Sequence, residues 1–283
     1  MMTLDFAVMS GAGNIFTVID NRLYRLTVDD GRRLAPLLCS ADVAGRVTEG
    51  LMLISPSVQP GIDFHMDFFN PDGSYGAMCG NGGRCAVHFA LEAGMVQSHG
   101  QLPTTFTVLD TVYKAHPEGA SIRLEFPPAR EVRIPCSIVL DGVSVPGAYV
   151  NVGSDHFVVD FADIVRLTGG DFHSFDINLW GARIRHHKDF APQGVNANFY
   201  SLQPDSSARL RTFERGVEAE TGACGTGAIA TALAIARCHG IAPPLRIIPT
   251  SGDMLIVDIL QSHLSLQGPA VILDRRTADI AQP

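Results

Sequence analysis

The sequence predicts an α/β protein, α+β in the arrangement of its elements, built as two homologous halves with a sheet curled around one central helix in each. Three observations lead there. Most of the chain reads as short strands, alternating or continuously apolar, set between turns. Two helical stretches, MCGNGGRCAVHFALEAG at 78–94 and ACGTGAIATALAIARCHG at 223–240, are apolar nearly all round, which suits a helix enclosed by sheet. Each opens directly behind a cysteine followed by glycines, and the two cysteines lie 224 − 79 = 145 positions apart, about half of the 283 residues.

Taken in order, strands are expected at FTVID (16–20), LYRLTV (23–28), LMLIS (51–55), FHMDFFN (64–70), TFTVLD (105–110) and IRLEF (122–126). They continue at SIVLDG (137–142), AYVNVG (148–153) and HFVVDF (156–161). Both helical stretches close on glycine, the common left-handed stop. FPPAREVRIP (126–135) carries three prolines near the midpoint and is the expected crossover between halves. LQGPAVILD (266–274) reads as one more strand after a GP turn, able to pack with either half.

A length of 283 residues suits two domains of ordinary size. Hydrophobic residues at 46% and charged residues at 18% fit a soluble globular protein. The formal charge of −8 argues against nucleic acid as a partner, because a phosphate-binding surface needs a basic excess, so a small-molecule ligand is expected. MMTLDFAVMSGAGN lacks the basic start and sustained apolar core of a secretory signal, and no apolar run approaches the length of a membrane span. The six cysteines are widely spread and never form CxxC, which favours reduced thiols and a cytoplasmic setting over a disulfide scaffold or zinc site. Exposed strand edges suit a homodimer.

The CGxG segments are the candidate site. The first N–H groups of a helix have no intrahelical partner and sit at the positive end of the helix dipole. Glycines let an anion approach that bare backbone, so Cys79-Gly80-Asn81-Gly82 and Cys224-Gly225-Thr226-Gly227 are each suited to hold a carboxylate and to stabilise a thiolate. With both starts at one cleft between the halves, a thiolate and a thiol would flank an α-amino acid. One sulfur takes the α-proton and the other protonates the opposite face, inverting the centre. Backbone donors stabilise the charge that develops on the carboxylate, and the scheme calls for no pyridoxal phosphate, other cofactor or metal. Cys39, Cys85, Cys136 and Cys238 read as small buried hydrophobes.

At these residues the chain resembles the diaminopimelate epimerase family over nearly its whole length. FNPDGSYGAMCGNGGRC (69–85) is similar to the family's first active-site block, and FERGVEAETGACGTGA (213–228) to its second. The resemblance implies Cys79 and Cys224 as the catalytic thiols, with His156 accompanying Cys79 and Glu214 accompanying Cys224. It implies Asn14, Asn70, Gly80, Asn81, Ser154, Asn196, Glu214, Arg215, Gly225 and Thr226 as substrate-binding residues, with Glu220 and Thr221 in support. SGAGNIFTVID (10–20) carries over Asn14, VNVGSDHFVV (150–159) carries over His156, and GVNANF (194–199), similar to a substrate loop, carries over Asn196. The fold implied is two α/β halves, each a β-barrel around its central helix, spanning 1–125 with 268–283 returning to it, and 126–267. The activity implied is interconversion of LL- and meso-2,6-diaminopimelate, a step toward lysine and peptidoglycan precursors.

The chain also departs from the family's pattern. Ile15 follows Asn14 where an acidic residue is usual, and Glu49 and Gly50 stand where Asp and Gly or Gln are common. Ser154 replaces an asparagine at the distal end of the substrate, Asp155 replaces a proline, and one extra residue separates Arg215 from Cys224. None of these is a thiol, so they bear on distal-end specificity. The alternatives are a racemase of another amino acid in the same superfamily, a thiol redox or metal-binding protein, and a cysteine peptidase using Cys79 and His156. The last leaves the second CGTG without a role.

Overall fold

The computed structural model describes residues 1–76, 78–96 and 102–280. In chain order its first part contains β1 (Met2–Gly11), β2 (Asn14–Asp20), α1 (Asn21–Tyr24), α2 (Val28–Leu38), α3 (Ala41–Ala44), β3 (Leu51–Pro56) and β4 (Phe64–Phe69). Then come α4 (Gly80–Glu92), β5 (Thr104–Val108), β6 (Thr111–Glu118), β7 (Ser121–Phe126), β8 (Glu131–Leu140), β9 (Val143–Asn151) and β10 (Asp155–Asp160). The chain continues with α5 (Phe161–Thr168), α6 (Ile177–Arg185), β11 (Asn196–Leu202), β12 (Ala208–Glu214), β13 (Ala219–Thr221) and α7 (Gly225–His239). It ends with β14 (Leu245–Ile248), β15 (Leu255–Ile259), β16 (Leu264–Pro269) and β17 (Val271–Ile280). Two compact units divide it, Met1–Glu125 with Gln267–Pro283, and Phe126–Leu266. Ala77 of the first CGxG block and 281–283 of the returning segment lie outside the described residues.

In the first unit β1 pairs antiparallel with β2 and with β17, so the final strand closes onto the first. β2–β3 and β4–β5 are parallel, while β3–β4, β5–β6 and β6–β7 are antiparallel. α4 packs against β1, β2, β3, β6 and β17, which explains why its burial runs almost unbroken from Asn81 to Ala90. The strands approach it closely. A Cβ at Gly11 of β1 would lie 2.5 Å from the Asn81 carbonyl oxygen, so only glycine fits there. A second core joins Leu34, Ala35 and Leu38 of α2 to Leu51, Leu53 and Phe69, so strands such as β3 are buried on both faces.

The second unit repeats the scheme. β8–β9, β9–β10, β11–β12, β12–β13 and β14–β15 are antiparallel, and β10–β11 and β12–β14 parallel. α7 packs against β8 to β12, β14 and β15, burying every residue from Gly227 to Ile235. Phe157, Phe199 and Phe213 from the sheet meet Trp180 and Ile184 of α6 and Phe161 and Ile164 of α5 in a separate aromatic-rich core.

Several expectations need correction. LYRLTV is not a strand: Asp20 caps α1, Arg25 turns left-handed, and Thr27 with Asp30 forms a capping box that starts α2. Local caps there outweigh the β-branched pattern. The crossover is shorter than FPPAREVRIP, because Glu131–Pro135 belongs to β8. Pro135 is tolerated since it falls at the register shift between Arg133 and Cys136, where the ladder is already interrupted. GVNANF is not a loop beyond Val195, for Asn196 opens β11. The helices α2, α5 and α6 were not anticipated beside the two central ones. Of the four cysteines read as buried, Cys39 and Cys85 are, Cys136 is half-buried, and Cys238 is exposed where the last turn of α7 emerges with Arg237 and His239. No helix among the described residues is long and apolar enough to cross a membrane.

Candidate active site

Both CGxG cysteines are helix N-caps. Cys79 (φ −102°, ψ 121°) precedes α4 and Cys224 (φ −110°, ψ 109°) precedes α7, each in extended backbone and neither making a side-chain capping bond to its helix. The first intrahelical bonds run from Gly83 N to Cys79 O at 2.8 Å and from Ala228 N to Cys224 O at 2.9 Å. Helix geometry therefore leaves the N–H groups of Gly80, Asn81 and Gly82, and of Gly225, Thr226 and Gly227, without i−4 acceptors. A Cβ at Gly82 would press on Met52 Sδ at 3.3 Å, and one at Gly227 on Asn198 Oδ1 at 2.5 Å.

Around the start of α4 the side chains are amide, carboxylate and guanidinium. Asn14, at the first position of β2, donates through Nδ2 to Glu49 and accepts at Oδ1 from Asn81 Nδ2 at 2.8 Å. Asn81 Oδ1 accepts from Arg84 Nη2 at 2.7 Å, and Arg84 is fully buried with its Nε 3.4 Å from Pro269 O. Glu49 is solvent-exposed over part of its length, yet desolvation of its carboxyl raises its pKa above the usual range, against the opposing bond from Asn14. The departure at Glu49 thus orients Asn14. Asn70 sits in the turn after β4, with its Nδ2 donating to Ser74 Oγ at 2.8 Å. Behind the site, full burial pushes the Cys85 thiol up to about 12, consistent with a packing role.

Around the start of α7 the groups are hydroxyls, an imidazole and an amide. Thr226 Oγ1 lies 3.5 Å from Cys224 Sγ and accepts from Ser154 Oγ at 3.1 Å. Ser154 Oγ is 2.9 Å from His156 Nε2, and His156 Nδ1 is 3.1 Å from Asn198 Nδ2. Burial drives the His156 pKa from the ordinary 6.5 down to about 3, so the ring is neutral. Strand register explains the grouping: His156 of β10 faces Asn196 of β11 in a parallel pair, and Asn198 lies two residues on, on the same face.

A second cluster in the same unit surrounds Arg215. Its Nη1 donates to Asp155 Oδ2 and to Gly194 O, both at 3.2 Å, and its backbone N donates to Asn196 Oδ1 at 2.8 Å. Asn196 Nδ2 donates to the Asp155 carbonyl at 3.0 Å. Asp155 Oδ1 accepts from Tyr149 at 2.6 Å and Asn151 at 2.7 Å. Burial pushes the Asp155 carboxyl up, but these donors and Arg215 outweigh it and hold it below the usual carboxylate range. Glu214 Oε2 accepts from Thr221 Oγ1 at 2.8 Å, while Glu220 is held by Arg211 and Thr250.

Within the first unit, Asn14 and Asn81 are joined at the helix start and Asn70 stands in its own turn. Within the second, Ser154, His156, Thr226 and Cys224 form one hydrogen-bonded chain, and Asn196 and Arg215 gather on Asp155. Sequence reasoning missed Asn198, Thr212, Arg84 and the role of Asp155. The alternation in VNANF was the available signal, since it puts Asn196 and Asn198 on one face of a strand. Among the described residues no group of three His, Cys, Asp or Glu side chains is placed to hold a metal ion.

Comparison with known proteins agrees in fold and sequence. The diaminopimelate epimerase family model matches residues 6–106 and 148–273. A diaminopimelate epimerase of Chlorobaculum tepidum is 37% identical over 279 residues, 95% of this chain and 99% of the relative. One from Aquifex aeolicus is 34% identical over 263 residues, 90% of each chain. Among solved structures, a hydroxyproline epimerase from Agrobacterium vitis shares the fold at 17% identity, with a TM-score of 0.68 over 99% of this chain and 94% of its own. The chain belongs to the diaminopimelate epimerase family.

Proposed function

We propose that this protein interconverts LL- and meso-2,6-diaminopimelate with Cys79 and Cys224 as its two proton-transfer groups. The observation that carries the reading is repetition: in each unit a cysteine caps the central buried helix at a glycine-rich first turn. A packing role for a cysteine gives no reason for that arrangement to occur twice.

In this reading the α-carboxylate is held on the first-turn N–H groups, at the positive end of the helix dipoles. A thiolate removes the α-proton, the carboxylate gains enediolate character, and the second sulfur donates its proton to the opposite face. The enzyme is left with the two protonation states exchanged, ready for the reverse reaction or for reset through solvent. Arg215 binds the distal carboxylate through the Nε/Nη2 edge of its guanidinium, its Nη1 being engaged by Asp155 and Gly194. Glu214 supports Cys224, and Asn14, Asn70 and Asn196 orient the polar groups of the substrate. A cytoplasmic enzyme of lysine and peptidoglycan precursor synthesis, acting as a homodimer on a small molecule, completes the reading.

The pairing of Arg215 with Asp155 favours one second reading, racemisation of another amino acid, because a carboxylate beside Arg215 weakens its pull on a distal carboxylate. Purified protein incubated with LL-diaminopimelate in deuterated water distinguishes the two. Formation of the meso isomer with α-deuterium incorporation is expected. Racemisation of a single-centre amino acid with diaminopimelate left untouched would overturn the leading reading.

A further inference from the structure

We infer that Tyr75 is a positioning residue for the substrate-binding Asn70, holding the turn that carries it through a hydrogen bond to the buried Asp67. The inference deepens the proposed function, in which Asn70 orients a polar group of the substrate, and rests on that reading for its catalytic meaning.

The segment after β4 turns back on that strand as a short hairpin. Asn70 N donates to Ser74 O at 2.9 Å, Gly73 N to Asn70 O at 2.9 Å and Gly76 N to Phe68 O at 2.8 Å, with Phe69 and Tyr75 paired across the turn. Alternation then sorts the side chains. Asp67, Phe69 and Tyr75 share one face, and Phe68, Asn70 and Ser74 share the other. The first face is the fastened one: Phe69 is fully buried with its ring against Gly31 of α2, and Tyr75 packs on it with ring centroids 5.2 Å apart. On the second face, Asn70 Nδ2 donates to Ser74 Oγ at 2.8 Å, and Ser74 Oγ donates to Asp72 Oδ1 at 2.6 Å. Ser74 spends its one proton on a carboxylate, so it accepts from Asn70 and fixes which way that amide faces.

What ties this hairpin to the sheet by a polar contact is Asp67. The Tyr75 hydroxyl donates to its Oδ1, and the same oxygen lies 3.1 Å from His65 Nε2. His65 Nδ1 is in turn 2.8 Å from Thr107 Oγ1 of β5, the residue opposite it in the parallel β4–β5 pair. Burial pushes the Asp67 carboxyl up, but the bonds from His65 and Tyr75 outweigh it and hold it below the usual carboxylate range. Burial first, and then the bond to Asp67, drives the Tyr75 hydroxyl well above its usual range. The tyrosine therefore stays the donor and the carboxylate the acceptor. Moving the hairpin away would strip a buried carboxylate of a donor while its desolvation cost remained, which is what gives a single hydroxyl its hold. Tyr75 thus fixes the returning arm to two strands, and Asn70 rides on the opposite face of the same turn.

The test compares Tyr75→Phe with the parent, as full-length proteins, in diaminopimelate turnover, backbone hydrogen exchange and urea unfolding. Tyr75→Phe keeps the ring on Phe69 and deletes only the hydroxyl. It is expected to raise KM about tenfold, the scale of one hydrogen bond to a charged group, with kcat changed by less than about twofold, and to speed exchange at the amides of Asn70, Gly73 and Gly76. In an Asn70→Ala background the same substitution should change KM by less than about twofold, because its effect passes through Asn70. Asp67→Asn keeps an acceptor for the hydroxyl and should raise KM less than Tyr75→Phe does. Asp67→Val, which removes the acceptor and the buried charge together, is expected to match the KM rise should Tyr75→Phe fold poorly. An unchanged KM, a loss confined to kcat, unchanged exchange at the hairpin, or full additivity with Asn70→Ala overturns the inference, even if diaminopimelate turnover stands. Faster hairpin exchange in Tyr75→Phe, with a parent that leaves diaminopimelate untouched, would instead remove the proposed function.

Discussion

The starts of α4 and α7 share a four-residue pattern, an extended cysteine N-cap and a helix enclosed by strands, yet their surroundings are chemically unlike. Around the start of α4, Asn14, Glu49, Asn81 and Arg84 are joined through amide, carboxylate and guanidinium groups. Beside Cys224, Thr226, Ser154, His156 and Asn198 are linked through hydroxyl, imidazole and amide groups. The difference shows that the backbone and the side chains of a repeated site can serve separate tasks. In the proposed function the glycine-rich first turn repeats the carboxylate-binding surface, and the flanking strands supply the side chains particular to each half.

The largest expected effect falls on the sulfurs. Cys79→Ala and Cys224→Ala should each lower epimerisation by roughly 10³-fold in both directions, followed by isomer analysis and α-hydrogen exchange. Near-normal turnover in either variant would reduce the pair to one working site. Next comes the amide that orients His156. Asn198→Asp presents only acceptors to Nδ1 and draws the ring proton there, leaving Nε2 an acceptor toward Ser154, so kcat should fall by about tenfold with KM little changed. Asn14→Ala, on the other side of the comparison, is expected to raise KM more than it lowers kcat. If both variants act on the same parameter, the division of labour is wrong.

Stability distinguishes the two starts as well. Gly227→Ala forces a methyl to 2.5 Å from Asn198 Oδ1, an atom held by Thr212, and should destabilise by about 1–2 kcal/mol in urea unfolding. Gly82→Ala has the flexible Met52 Sδ as its tightest neighbour at 3.3 Å, with Cys79 Cβ and Phe16 in ordinary contact, so the gain in helix propensity should leave it within about 0.5 kcal/mol of the parent.

The last effect is a slope. His156 has a folded pKa near 3 against an ordinary 6.5, so between those values the unfolded chain binds the extra proton. Stability contributed by the neutral ring is full above pH 6.5 and lost as pH falls through that window, by about 1.4 kcal/mol per pH unit at most. Urea unfolding at neutral pH and near pH 5 reads it, and His156→Gln should flatten the difference.

Much of this was legible in the sequence because it is written locally. Glycines after Cys79 and Cys224 mark the helix starts, and the unbroken apolar surface of α7 marks a helix enclosed by sheet. The strand patterns from LMLIS to HFVVDF gave the fold class for the same reason, since period-two and continuous runs report burial directly. LYRLTV misled because its β-branched pattern was overruled by the cap at Thr27, a contest between two local signals.

The fold class, the two cysteines at helix starts and the family can all be read from the residues in order. Only folding brings Ser154 and Thr226, 72 positions apart, together beside Cys224, and sets the Arg215 guanidinium on Asp155. Helix starts and strand faces follow from neighbours within a few residues, whereas a hydrogen bond and its direction depend on which distant segments packing brings within about 3 Å.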